Sequence, residues 1–143
     1  MKKIAHRGNT NGPQPTFENT LEYMISAWSE GYDIECDLIA HKGILYFGHD
    51  EPQQPADTEF IQRNGVWCHA KNFEALVLLS EMKTHYFWHE NDNLTITSKS
   101  FIWCFPGIHI KHKNAIWLNL HNKSLPNDLN GIYGVCSDKF SSI

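Results

Sequence analysis

Residues 32–39 read Tyr-Asp-Ile-Glu-Cys-Asp-Leu-Ile, a run in which acidic and apolar side chains alternate one by one. Strand side chains point to opposite faces in turn, so Glu35 and Asp37 share one face while Ile34, Cys36 and Leu38 share the other. Two carboxylates on one face of a strand repel each other unless something positive lies between them. A hard divalent cation such as Mg²⁺ or Ca²⁺ is the natural partner. The competing reading is the solvated outer face of a half-exposed antiparallel strand, which often alternates in the same way.

The surrounding pattern is strand, loop and helix in turn. Residues 3–7 read as a short strand, and the Gly-, Asn- and Pro-rich stretch 8–15 as a loop. Thr16 is placed to cap a helix with Phe17, Leu21, Met24, Ile25 and Trp28 along one stripe, and Gly31 ends it. Residues 44–47 return as a short extended piece closed by Gly48-His49-Asp50. Residues 66–70 make another strand, Asn72 caps a helix to about Met82, and residues 86–89 form a further strand. Alternation of this kind favours a parallel sheet. Beyond Asn91, strand-like runs at 94–97, 101–105, 115–120 and 132–136 follow one another over short polar links, without convincing helices.

At 143 residues and 41% hydrophobic, the chain is expected to form one domain spanning 1–143, because two cores of half that size would be marginal. The net charge of −4 gives no broad basic face for nucleic acid. No stretch reaches the roughly 18–20 apolar residues needed to cross a bilayer, so neither a signal peptide nor a stable membrane anchor is expected, and a cytoplasmic location is. Cys36, Cys68, Cys104 and Cys136 lie far apart within apolar segments and read as buried, reduced thiols.

The same parity argument puts Trp67, His69 and Lys71 on one face, opposite Cys68 and Ala70. His6-Arg7, His89-Glu90 and Ser137-Asp138 each close a predicted strand. In a parallel barrel such ends gather on one rim, where barrel enzymes carry their chemistry. His85, His109, His112 and His121 read as surface or loop residues, and Trp88 and Trp103 as core aromatics near strand ends that can line a pocket.

Four segments in order, His6-Arg7-Gly8, Phe17-Glu18-Asn19-Thr20, Gly31-Tyr32-Asp33-Ile34-Glu35-Cys36-Asp37 and Gly43 through Phe47-Gly48-His49-Asp50, resemble the motifs of the glycerophosphodiester phosphodiesterases. Ala70-Lys71 and residues 134–138 are similar to later parts of that family. The resemblance implies a shortened TIM-like (β/α) barrel with several outer helices missing in the C-terminal half, since such barrels usually need about 200 residues or more. It further implies that His6 and His49 are general acid and base, that Glu35 and Asp37 hold Mg²⁺ or Ca²⁺, and that Arg7 and Lys71 contact phosphate. These residue types suit such chemistry, because imidazole titrates near neutrality and the planar guanidinium matches phosphate oxygens.

The family pattern has a third carboxylate ligand two residues before its lysine, where this chain has His69. Glu18, Asp138, Asp50 and Glu90 are the other carboxylates that can complete the shell. The expected reaction is hydrolysis of a small glycerophosphodiester to glycerol phosphate and an alcohol. The alternatives are a related phospholipase-type phosphodiesterase, including the spider-venom-like phospholipase D group, and an inactive barrel that binds a phosphorylated metabolite. With outer helices missing, Trp117, Leu118 and Ile132 would be left uncovered, and a homo-oligomer is expected on that ground.

Overall fold

The computed structural model describes residues 1–121 and 123–143. Among these residues the chain forms ten strands: β1 (Lys2–His6), β2 (Asp33–His41), β3 (Ile44–Phe47), β4 (Gln54–Pro55), β5 (Val66–Ala70), β6 (His85–Phe87), β7 (Leu94–Ile96), β8 (Ile102–Cys104), β9 (Ala115–Asn119) and β10 (Gly134–Ser137). The helices are α1 (Leu21–Ser29), α2 (Thr58–Ile61) and α3 (Phe73–Ser80).

This arrangement corrects the expected fold. The chain is not a TIM-like barrel of alternating strands and helices but a curled, mixed half-barrel, with about 15% of its residues helical. The sheet runs β4-β3-β2-β1-β10-β9-β8-β7, and β5 and β6 branch from it at β2. The pairs β1–β2, β1–β10, β2–β5, β5–β6, β9–β10 and β8–β9 are parallel, whereas β3, β4 and β7 run antiparallel to their neighbours. The physical reason lies in the connections. After α3, no helix occurs between strands among the described residues, so these give the second half of the sheet no helical layer.

Side-chain parity sorts the interior into an outer and an inner core. Ile34, Cys36, Leu38, Cys68 and Ala70 pack outward against Met24 and Ala27 of α1, Phe60 and Ile61 of α2, and Ala75 and Leu79 of α3. Ile4, Trp67, Phe87, Trp103, Ile116, Leu118 and Cys136 fill the inner side. Trp117 and Leu118 are buried within the chain itself, and Ile132 packs beside Trp117. The uncovered surface that prompted an oligomer is therefore absent at Trp117 and Leu118, whereas Ile132 is half-buried. All four cysteines are free and buried, as their apolar settings imply.

Local differences have identifiable causes. The first helix begins at Leu21 rather than Phe17, because residues 14–19 form a turn in which Glu18 N bonds the Gln14 carbonyl. Phe17 is consequently exposed rather than part of the apolar stripe. Asn72 caps α3 as expected, its side chain accepting from Ala75 N at 3.0 Å. The short α2 is capped in the same way by Asp57. His85 lies buried on β6 instead of on the surface. No helix among the described residues is long and apolar enough to cross a membrane.

Candidate active site

β1, β2, β5 and β10 run in the same direction, which brings His6, Glu35, Asp37, His69 and Asp138 to neighbouring strand ends. In register, His6 pairs with Glu35, and Asp37 with His69. Glu35 and Asp37 are each 1% exposed, so the solvated-face reading of the pair fails. A cavity of about 490 Å³ opens over them, reached by His6, Arg7, His49, His69 and Lys71 as well. Its far wall is apolar, formed by Trp103, Phe105, Leu118 and Leu120. Trp88 instead packs against the outer core. A wider hollow of about 750 Å³ lies at the opposite strand ends around Lys2, Tyr32, Lys113 and Tyr133, with Glu30 as its one carboxylate and no histidine.

The backbone that carries the site is bent to fit it. Arg7 and Asn19 adopt φ of 56° and 60°, a left-handed conformation that non-glycine residues enter at a cost. Arg7 N donates to the Glu35 carbonyl at 2.8 Å, and Asn19 N to the Arg7 carbonyl at 3.1 Å. Asn19 then clasps Asp37 from both sides: Nδ2 donates to Asp37 Oδ2, and Oδ1 accepts from Asp37 N, both at 3.0 Å. Gly48, at φ 155°, positions His49, since a Cβ there would fall 2.0 Å from the Glu51 carbonyl oxygen.

Arg7 is anchored by anions on two sides. Its Nε lies 2.8 Å from Asp37 Oδ2, and an Nη donates to Glu18 Oε1 at 3.3 Å. Glu18 also accepts from Gln14 N at 2.7 Å, so it holds the arginine and the loop rather than joining the carboxylate pair. Lys71 reaches the cavity with no ion pair among the described residues. His49 is partly exposed, its Nδ1 2.8 Å from the Asp50 carboxylate. Asp50 points to solvent, and Glu90 lines the cavity edge.

His6 bridges two carboxylates. Its Nδ1 is 2.7 Å from Asp138 Oδ1, and its Nε2 is 3.5 Å from Glu35 Oε2. Asp138 in turn accepts from Asn9 Nδ2 at 2.8 Å, and the Tyr23 hydroxyl donates to Asn9 Oδ1 at 2.9 Å. His69 presents Nδ1 to Asp37 Oδ1 at 3.4 Å and to Glu35 Oε1 at 3.9 Å. Its other nitrogen, Nε2, is bonded to the His89 carbonyl at 2.9 Å, and its ring stacks on Phe87.

The protonation states follow from this crowding. Burial, reinforced by Asp37, pushes the Glu35 carboxyl up to about 8. Burial also works against ionised Asp37, but Arg7 beside it, His69 and the Asn19 bond outweigh that effect and hold its carboxyl below the usual range. For His6, burial favours the neutral ring, yet Glu35 and Asp138 together raise its proton affinity. Glu35 and His6 therefore both hold a proton more tightly than they would in water. Burial, aided by Lys71, lowers His69 to about 4 against the opposing pull of Asp37 and of the bond to the His89 carbonyl, so its ring is neutral.

The donor set fits a divalent cation. Glu35, Asp37 and His69 each offer a ligand atom, all within 4.8 Å of one another. Both Glu35 oxygens are buried without a hydrogen-bond partner among the described residues, an expensive state that a bound cation would relieve. Sequence reasoning placed His6, Arg7, Glu35, Asp37, His49, His69 and Lys71 where one cavity collects them. It assigned no role to Asn19 or to the Tyr23–Asn9 link behind Asp138. Asn19 was visible within the Phe-Glu-Asn-Thr segment, whereas the link depends on a contact spanning nearly the whole chain. No protein family, curated protein or solved structure matches the chain in comparison with known proteins, so overall similarity does not identify a family.

Proposed function

We propose that this chain is a phosphodiester hydrolase that uses a divalent cation and cleaves a small glycerophosphodiester into glycerol phosphate and an alcohol. The observation that carries this reading is the convergence of two histidines, two cationic side chains and a buried carboxylate pair on one cavity. The sequence resemblance to glycerophosphodiester phosphodiesterases names the substrate class.

Glu35 and Asp37 would hold the cation, with His69 as the adjoining donor. When bound, the cation supplies charge that polarises a phosphoryl oxygen. Arg7 has N–H groups beyond those turned to Asp37 and Glu18, and Lys71 brings a second positive charge to the same space. Both suit the non-bridging oxygens of a phosphodiester. His6 and His49 are the acid–base pair. One takes the proton of the attacking water, and the other delivers a proton to the leaving alkoxide. Where a neighbouring substrate hydroxyl attacks instead, the alcohol leaves with formation of a cyclic phosphate, which water then opens to glycerol phosphate with the two histidines in exchanged roles. Asp138 orients the His6 ring and favours its protonated form. The apolar wall of Trp103, Phe105, Leu118 and Leu120 excludes water from one side of the reacting group.

The test is direct. Metal-stripped protein is incubated with glycerophosphodiesters and Mg²⁺, Ca²⁺ or Mn²⁺, and glycerol phosphate is measured. Turnover should appear with at least one ion and fall by about 10²–10⁴-fold in His6→Ala and in His49→Ala. No turnover with any ion, or full activity in both variants, overturns the proposal.

A further inference from the structure

Taking the metal-dependent reading as its basis, we infer that this site prefers a first-row transition ion of the Mn²⁺, Co²⁺ or Zn²⁺ type over Mg²⁺ and Ca²⁺, with His69 Nδ1 as the third protein ligand. The far nitrogen of the imidazole fixes the state of the near one. His69 Nε2 is 2.9 Å from the His89 carbonyl oxygen. A carbonyl only accepts, so Nε2 carries the proton, and in the neutral ring Nδ1 is a bare lone pair. That lone pair faces Asp37 Oδ1 at 3.4 Å and Glu35 Oε1 at 3.9 Å. Three electron-rich atoms thus converge.

The separations distinguish a ligand shell from a hydrogen bond. An imidazolium bonded to either carboxylate would sit about 2.7–2.9 Å from it. Atoms bound to a common ion at about 2.0–2.2 Å are themselves separated by about 2.8–3.1 Å at right angles and about 3.3–3.6 Å at tetrahedral ones, a range that holds the His69–Asp37 distance and lies a small side-chain adjustment from the Glu35 one. Both Glu35 oxygens, buried and without a hydrogen bond among the described residues although His6 Nε2 stands 3.5 Å from Oε2, are the independent sign of a further positive partner. A metal-bound histidine ordinarily gives its second N–H to a carbonyl or carboxylate, which fixes tautomer and ring orientation. His89 supplies that carbonyl, and the Phe87 face holds the ring plane. Two oxygens and one imidazole nitrogen are a poor match for Mg²⁺ and Ca²⁺, which take oxygen shells. They are a good match for borderline transition ions.

The experiment is calorimetric titration of metal-stripped protein with MnCl₂, CoCl₂, MgCl₂ and CaCl₂, repeated on His69→Glu and Glu35→Gln. Co²⁺ should bind at least about tenfold more tightly than Mg²⁺. His69→Glu should weaken Co²⁺ by about 10–100-fold and strengthen Mg²⁺ or Ca²⁺. Should that variant fail to fold, the NMR spectrum of the Co²⁺-loaded wild-type protein decides. A hyperfine-shifted, exchange-protected imidazole N–H is expected from His69, and its absence overturns the inference. Tight Mg²⁺ binding that needs Glu35 but is indifferent to His69 overturns the inference alone. Failure of every ion to bind, or binding unchanged by Glu35→Gln, overturns both the inference and the metal-dependent reading.

Discussion

Nδ1 of His6 and Oδ1 of Asp138 are 2.7 Å apart although 132 residues separate them in sequence. The pairing of β1 with β10 makes that contact, aligning Ala5 with Ser137, so that the residues just beyond these partners meet at the cavity. Asp138 is itself held by Asn9, and Asn9 by Tyr23. The imidazole is thus fixed in direction by the chain's own contacts.

Removing the anion behind His6 should change both its titration and its catalytic use. In Asp138→Asn the neighbouring charge that favours the imidazolium is gone, so the His6 pKa falls relative to wild type. The direction is checked by NMR titration of the His6 ring. Glycerophosphodiester turnover should fall by about 10–100-fold, with a matching downward shift of the His6-dependent limb of the pH–rate profile. A lower rate with no movement of that limb would mean that Asp138 acts on packing alone.

Asn19 has two separable roles, and two substitutions tell them apart. Asn19→Gly keeps the left-handed φ of 60° accessible but deletes both bonds to Asp37. Asn19→Ala loses the bonds and strains the backbone as well. The glycine variant should lose about 1–3 kcal/mol, and the alanine variant about 1 kcal/mol more, in denaturant unfolding. Both should weaken divalent-cation binding, because Asp37 is no longer clasped in place.

What the sequence made legible follows from what short-range physics controls. The period-two alternation put Glu35 and Asp37 on one face, which their burial and the cavity show to be an inner one, and Asn72 correctly marked the start of α3. The fold class went wrong because the strand ends near His6, His69 and Asp138 imply shared direction but say nothing about what crosses between strands. Loops such as that between β8 and β9 return the chain without a helix, and β3 and β7 fold back antiparallel. His85 reads as a surface residue because its polar neighbours hide a ring packed on Trp67, with centroids 4.1 Å apart.

Gly48 sets the position of His49, and its replacement should injure catalysis more than stability. A Cβ at residue 48 would lie 2.0 Å from the Glu51 carbonyl oxygen, forcing the 48–53 loop to shift. That loop lies mostly at the surface. Gly48→Ala should therefore lower kcat toward the level of His49→Ala while shifting Tm by only a few degrees. Cation affinity should fall much less than turnover, because the loop supplies no ligand atom and Gly48 N meets Asp37 at its backbone carbonyl, 3.1 Å away, not at its carboxylate. Equal loss of cation binding and turnover would count against this division.

The pH dependence of stability follows from titratable groups of the interior pulling in opposite directions. His85, 5% exposed, is brought to about 4 by burial first and Lys99 second, and His69 reaches a similar value. Between pH 6.5 and 4 the unfolded chain binds protons that these folded histidines refuse, so stability falls as pH falls. The slope is at most about 1.4 kcal/mol per pH unit for each histidine. Glu35 acts in the reverse sense. Its carboxyl keeps a proton up to about pH 8, while the unfolded carboxyl ionises near pH 4.3, so its contribution declines as pH rises between those values. Below pH 6.5 the two histidines together exceed the one carboxyl. Above it the carboxyl and His6, whose pKa is raised, lower stability as pH rises, joined above about pH 8 by the Cys36, Cys104 and Cys136 thiols, which burial holds protonated in the folded chain. Metal-free protein should therefore be most stable near pH 6.5 and lose stability on both sides. His85→Gln should flatten the acid side, and Glu35→Gln the alkaline side, in urea unfolding followed across pH 4–9. A saturating cation should also flatten the alkaline side, because it favours the ionised Glu35 that burial otherwise penalises.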